Sequence, residues 1–348
     1  MKTLNFKKNI GKGIFIFVFS LLILLTVLKP EICKIGAVSG ILLCGRVIIP
    51  SIFPFTVCIL FIMKLTESNL SGELTFKERI LIVLFSLIGG YPIGAKLLDN
   101  AVKQKKISEK SARRMLNFCV NAGPAFIIGA VGNGIIGSKI LGFILFISHI
   151  SSSLILALFL REKKIKQPFK TQKNTARQSI SDSFVSSVAE SSSATLSICS
   201  FIILFSVIAS YTDYFSQSIP LIKYISPFLE VTNAVSKTGN IYFISFLLGF
   251  SGICIWCQIL SLGKSIKIRL LKFSIFRIIH GLLSSFITWL LIKIFRITVP
   301  CFSNSVGFSS KLYYSTPALS ISLFILTVIF IITLMTKKRT GNLLEDMV

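Results

Sequence analysis

Apolar runs long enough to cross a bilayer alternate with short basic stretches along the chain, and the runs differ in how they are interrupted. The first, 13–28, follows Lys2, Lys7, Lys8 and Lys12 and leads into Leu28-Lys29-Pro30-Glu31, a poor cleavage site, so an uncleaved N-terminal anchor helix is expected over 1–34. The second, 35–65, is broken by Pro50 and Pro54, carries Arg46 in its middle, and offers Gly36-Ala37-Val38-Ser39-Gly40 as a small-residue face for another helix. The third, 80–95, closes on Leu87-Ile88-Gly89-Gly90-Tyr91-Pro92-Ile93-Gly94-Ala95-Lys96. Glycine allows close approach and unusual backbone angles, and proline removes a donor, so a helix ending here leaves backbone groups that need other partners. At membrane depth such backbone is tolerated only inside protein or beside a wet cavity. The run 115–137 holds Asn117, Asn121, Pro124, Asn133 and five glycines, which predicts a discontinuous helix facing the protein interior. A plain span, 140–160, completes this half.

A basic linker, 161–178, divides the chain. Beyond it a Ser-rich lead-in containing Glu190 runs into the apolar segment 196–210, and a short amphipathic piece, Pro227-Phe228-Leu229-Glu230-Val231-Thr232-Asn233, precedes the spans 241–262 and 273–294. Arg277 and His280 stand near the start of the latter. A last span, 317–335, leads to a cytoplasmic tail, 337–348.

Composition fixes the class. Hydrophobic residues make up 53% of the 348 and charged residues 15%, with a mean hydropathy of +0.80, whereas soluble domains carry about 25% charged residues. The chain is expected to be an all-α polytopic integral membrane protein of about 8–9 transmembrane or re-entrant segments with broken helices. The net charge of +25 collects in short loops between apolar runs. That is the positive-inside pattern, which makes the lipid bilayer the partner and excludes nucleic acid. Cys254-Ile255-Trp256-Cys257 stands without a second pair, and His149 and His280 are the only histidines. No metal, cofactor, catalytic residue or enzymatic activity is expected from so few ligands.

Setting Gly90 over Gly252 aligns Gly89-Gly90-Tyr91-Pro92-Ile93-Gly94-Ala95-Lys96 with Ser251-Gly252-Ile253-Cys254-Ile255-Trp256-Cys257-Gln258, so that Lys96 faces Gln258 and the following basic loops coincide. Two related halves, 35–160 and 179–336, are therefore expected, with a site at their interface. Charge counts favour parallel over inverted halves without excluding inversion. Three candidate segments lie between two basic ends, so either one segment among 35–95 dips in and returns, or the N-terminal helix is peripheral or inserted with Lys2 to Lys12 outside; the proline-broken 35–65 is the preferred re-entrant element.

The strings Gly89 to Lys96, Asn121-Ala122-Gly123-Pro124-Ala125-Phe126, Phe228-Leu229-Glu230-Val231-Thr232 and Gly249-Phe250-Ser251-Gly252 resemble those of the sporulation integral membrane protein YlbJ (SpoVV) family, over about 36–289. Ala122-Gly123 departs from the family's Ser-Asn before the proline, and Ile253-Cys254 from its polar residue. The resemblance implies that both halves are Gate-like, of the nucleoside-recognition type. It further implies a carrier that moves dipicolinic acid out of the mother cell across the outer forespore membrane. A planar aromatic dianion calls for cations or backbone N–H donors and an apolar slot. On that expectation Gly90, Tyr91, Pro92, Gly94, Lys96, Asn117, Asn121, Gly252 and Gln258 are the substrate-binding candidates, and Glu230 and Arg277 the coupling or ion-pair candidates. A nucleoside or metal-ion permease, a membrane scaffold for spore-envelope assembly, and a homo-oligomer stay open as alternatives.

Overall fold

The computed structural model describes residues 2–66, 74–160 and 179–298. The basic linker 161–178, the expected last span 317–335 and the tail 337–348 lie outside the described residues. Within them every regular element is helical. Among the described residues four helices are long and apolar enough to cross a membrane, or five if one bent pair is counted. That pair is formed by α1 (Lys2–Leu28) and α2 (Pro30–Leu43). Lys29 between them has φ −135° and ψ 63°, as a residue before proline is pushed out of the helical region. The axis turns there by 105°.

From α2 the helix continues through a π-turn, Cys44–Ile48, into α3 (Ile49–Thr66). Pro50 and Pro54 do not break it. The π-turn, in which Ile49 N–H bonds to the Cys44 carbonyl, shifts the hydrogen-bonding register just ahead of the prolines, so the helix runs on. The expected re-entrant dip at 35–65 is thus replaced by one continuous helix. It lies antiparallel to α8 (Ile180–Ser216), whose 37 residues reach about 55 Å at 1.5 Å per residue. Gly36 and Gly40 meet the α8 backbone at Val207 and Ile203, as their spacing predicts. At the two ends Tyr211 Oη donates to the Lys29 carbonyl (3.2 Å) and Lys64 Nζ reaches Ser186 and Glu190 (both 2.8 Å).

The element that does dip in and return is the pair α4 (Phe76–Gly89) and α5 (Tyr91–Lys103). Thr75 and Glu78 form a capping box that starts α4. Gly90, at φ +90°, reverses the chain, and Leu74 N–H bonds to the Lys106 carbonyl at 2.8 Å, closing the mouth of the hairpin. The chain then passes through α6 (Glu109–Leu116) and an irregular stretch, 117–124. It re-enters helical structure as a π-helix, Ala125–Ile136, and returns as α7 (Lys139–Phe159). The discontinuous helix expected at 115–137 is therefore present.

After α8 and a 3₁₀ turn (Pro220–Tyr224), α9 (Ser226–Leu229) and α10 (Val231–Lys237) form a second, shorter hairpin with Glu230 extended at its tip. Both of its ends are tied to the end of α8, Ser226 to Thr212 (3.4 Å) and Lys237 to Asp213 (2.5 Å). A kinked span follows, α11 (Ile241–Phe250) and α12 (Gly252–Leu262), with Ser251 and Gly252 at φ +70° and +75°. The last described helix is α13 (Leu270–Ile294).

The loops after α5 and after α12 meet at one end of the bundle. Asp99 accepts from Ser265 N–H (2.6 Å) and Glu109 from Lys267 N–H (2.9 Å). These two basic loops share one side, as the charge pattern predicts. The α4–α5 hairpin enters from this basic end, and α9–α10 enters from the opposite one. Each hairpin tip seats against a glycine of a discontinuous span. A Cβ on Gly123 would lie 2.9 Å from the Ile88 carbonyl oxygen, and one on Gly252 would lie 3.4 Å from the Leu229 carbonyl oxygen. His149 and His280 each stand ten residues into the helix that follows, α7 and α13, with ring centroids 4.6 Å apart. The two hairpins thus enter in opposite senses. Gly90 turns a hairpin whereas Gly252 kinks a span, and the position packed like Gly252 is Gly123.

Candidate functional site

Two places combine polar side chains with discontinuous backbone: a closed core where the broken spans cross, and an open cavity above it. Kinking a helix leaves its last carbonyls without intrahelical donors. In the core, Tyr91 Oη donates to the Leu248 carbonyl at 2.7 Å, and Trp256 Nε1 donates to the Phe250 carbonyl at 3.1 Å. Arg277, fully buried, uses one guanidinium nitrogen on the Val120 carbonyl (2.8 Å) and the other on the Gly249 carbonyl. The guanidinium fork therefore joins the irregular stretch of the first half to the end of α11 in the second. A cation is favourable there because the helix C-terminus is the negative end of its dipole. Ala122 N–H donates to His149 Nε2 at 3.0 Å, and His280 Nε2 lies 3.1 Å from the His149 carbonyl.

Asn117 lines a small pocket at the basic end, and the other substrate-binding candidates are not in the lining of the large open cavity. Tyr91 and Pro92 are buried in the crossing, and a Cβ on Gly94 would fall 1.8 Å from the Cys119 carbonyl oxygen. Gly94 is needed for helix-to-backbone contact. Asn121 is fully buried and donates to the Phe118 carbonyl (2.8 Å), and Gln258 is buried and donates to Cys254 Sγ (3.4 Å). Asn117 caps the end of α6 at the basic end, away from this core. The glycine and proline breaks thus shape the crossing, and their positions identify architecture before chemistry.

Lys96 is engaged elsewhere. Its Nζ lies 3.4 Å from Glu190 Oε2, while Lys64 lies 2.8 Å from Oε1 of the same carboxylate and Asn100 Nδ2 donates to it at 3.3 Å. Glu190 on α8 therefore ties α3 and α5 together near the basic end. Glu230 is 3% exposed and accepts from Thr232 N–H at 2.9 Å. The carboxylate paired with Lys96 is that of Glu190, not Glu230, and the Arg277 guanidinium donates to the Val120 and Gly249 carbonyls.

The cavity opens at the end opposite the basic loops and has a volume of about 1520 Å³. It runs along α2 from Glu31 to Arg46, over the tip of α9–α10 at Phe228 and Thr232, and against Phe243. Fifteen residues of helix separate Glu31 from Arg46, about 22 Å of depth. Arg46 sits on the π-turn at the deep end, with Lys34, Lys223 and Lys237 nearer the rim. A charge in mid-run was the sequence signal for Arg46, and Glu190 within a Ser-rich lead-in was a weaker one. The joining of Lys64 to Glu190, 126 residues apart, had no local signal.

No protein-family model matches the chain, and no solved structure matches it. A curated relative does. The sporulation integral membrane protein YlbJ of Bacillus subtilis (strain 168) is 24% identical over 332 residues, covering 79% of this chain and 81% of that protein. With its helices long and apolar enough to span a bilayer, this chain is a helical integral membrane protein homologous to that sporulation protein.

Proposed function

We propose that the chain is a carrier that moves a small planar dicarboxylate by alternating access, with dipicolinate, exported from the mother cell across the outer forespore membrane, as the substrate. The observation that carries this reading is the opposed pair of hairpins. One enters from each end, each tip rests on a discontinuous span, and a deep cavity reaches one tip while ion pairs close the other side. A scaffold needs no such arrangement; a carrier does, because its site must face each side in turn.

The cavity chemistry suits the substrate class. A dicarboxylate with an aromatic ring is matched by Lys34, Arg46 and Lys223 and by the rings of Tyr224, Phe228 and Phe243. Arg46 at the deep end offers a planar fork for a carboxylate. The described arrangement is then the state open away from the basic loops. At the basic end, Glu190 holds Lys64 and Lys96, while Asp99 and Glu109 hold the loop after α12. Opening that side requires the α4–α5 hairpin to separate from α3 and α8. Lys96 acts here as a gate residue whose positive charge becomes available to the dianion when the gate opens. Arg277 and Glu230 brace the crossing about which the halves move.

The test is deletion in a sporulating host without a redundant homologue, followed by dipicolinate assay of mother cells and spores. Retention in the mother cell with depleted spores is expected. Normal spore dipicolinate overturns the assignment.

A further inference from the structure

We propose that a second pocket, at the basic end, holds the headgroup of an anionic phospholipid. It lies between α6, the last turn of α7 and the start of α13, and has a volume of about 300 Å³. Five cationic side chains line it: Lys110, Arg113 and Arg114 from α6, and Arg269 and Lys272 from the α13 end. No carboxylate is in the lining. Arg113 is already paired with Glu109, and the clustered cations still make the pocket attractive to an anion; a phosphodiester suits it with oxygens that accept from several donors at once.

The remaining wall selects a lipid over a soluble anion. Leu160, Phe273 and Phe276 supply an apolar floor. Next to the pocket, Phe159 and Leu271 project outward with 84% and 78% exposure, as side chains facing acyl chains do in a helical membrane protein. Headgroup and tails thus meet complementary surfaces in the right order, with cations at the loop level and apolar side chains along α7 and α13. Basic pockets between membrane helices recognise anionic headgroups in this way. Arg113 is also held by Glu109 (2.5 Å) and by the Lys267 carbonyl (3.2 Å), so the pocket is fastened to both basic loops. A bound lipid would therefore clamp α6 to α13 across the two halves. This site is at the opposite end from the proposed substrate cavity and does not depend on that reading.

The test uses the full-length protein in detergent, with bound lipid counted by native mass spectrometry. Phosphatidylglycerol is titrated against phosphatidylcholine of the same chains. Two exposed cations are removed together, as Arg269→Gln with Lys272→Gln, and compared with Lys34→Gln with Lys223→Gln at the opposite end. Phosphatidylglycerol is expected to be retained over phosphatidylcholine, and the first double variant to bind it about thirtyfold more weakly, from the usual contribution of two surface cations. The control pair should leave binding unchanged, and Arg269→Lys with Lys272→Arg should restore it. The proposal is overturned if the first pair binds as tightly as the parent, if the control pair weakens binding equally, or if inorganic phosphate displaces the lipid at comparable concentration.

Discussion

Glu190→Gln tests the gate at the basic end. Glu190 is 34% exposed, and it meets Lys64 at 2.8 Å and Lys96 at 3.4 Å, whose side chains are 15% and 16% exposed. Bare Coulomb energies at such distances are several kcal/mol at an intermediate dielectric, but screening and side-chain ordering reduce pairs of this kind to about 0.5–1 kcal/mol each. Glutamine keeps a carbonyl oxygen for Asn100 and loses both charge pairs, so the closed arrangement loses about 1–2 kcal/mol. The open population at that end should rise about 5- to 30-fold. Hydrogen exchange followed by mass spectrometry in nanodiscs reads this directly. Amides of α5 should exchange faster by about that factor, while Asp213→Asn, which removes a pair at the far end, leaves them unchanged. Lys96→Ala should act in the same direction and more weakly, since only one pair is lost. Unchanged exchange in α5, with the variant as abundant as the parent, refutes the gate.

Other perturbations separate the packed crossing from the cavity. Gly94→Ala gains up to about 1 kcal/mol of helix propensity, but its Cβ would sit 1.8 Å from the Cys119 carbonyl oxygen. Overpacking costs about 3 kcal/mol or more here, so the melting temperature and membrane abundance should fall. Arg277→Lys replaces a fork that serves Val120 and Gly249 together; loss of one charged hydrogen bond should cost about 2–3 kcal/mol in thermal unfolding. Arg46→Gln, at the cavity's deep end, should lower apparent dipicolinate affinity tenfold or more. A fall in stability instead would make Arg46 structural.

Much of the architecture was legible because hydropathy and backbone chemistry act locally. The break at Gly90, the discontinuity around Asn121 to Pro124, the Gly36 and Gly40 contact and the sharing of one end by the basic loops all follow from the string itself. What the string hid was direction. A hairpin and a kinked span both show an apolar run ending on glycine, and only packing distinguishes Gly90, which turns the chain back, from Gly252, which lets it continue. The charges on α5, Lys96, Asp99 and Lys103, were the available hint, since they suit a half-helix returning to a wet end. Pro50 and Pro54 misled because a neighbouring π-turn absorbs them. Long-range partners are beyond any local reading. Glu190 finds Lys64 and Lys96, and His149 finds His280, only once the helices cross.

The most direct measurement of the central claim is counterflow in proteoliposomes. Purified protein is reconstituted with unlabelled dipicolinate inside, and radiolabelled dipicolinate is supplied outside at trace concentration. Transient accumulation above the external level is predicted, together with its loss when Arg46→Gln replaces the parent. Labelled dipicolinate that enters no faster than in protein-free vesicles, with the protein inserted and folded, would contradict the account.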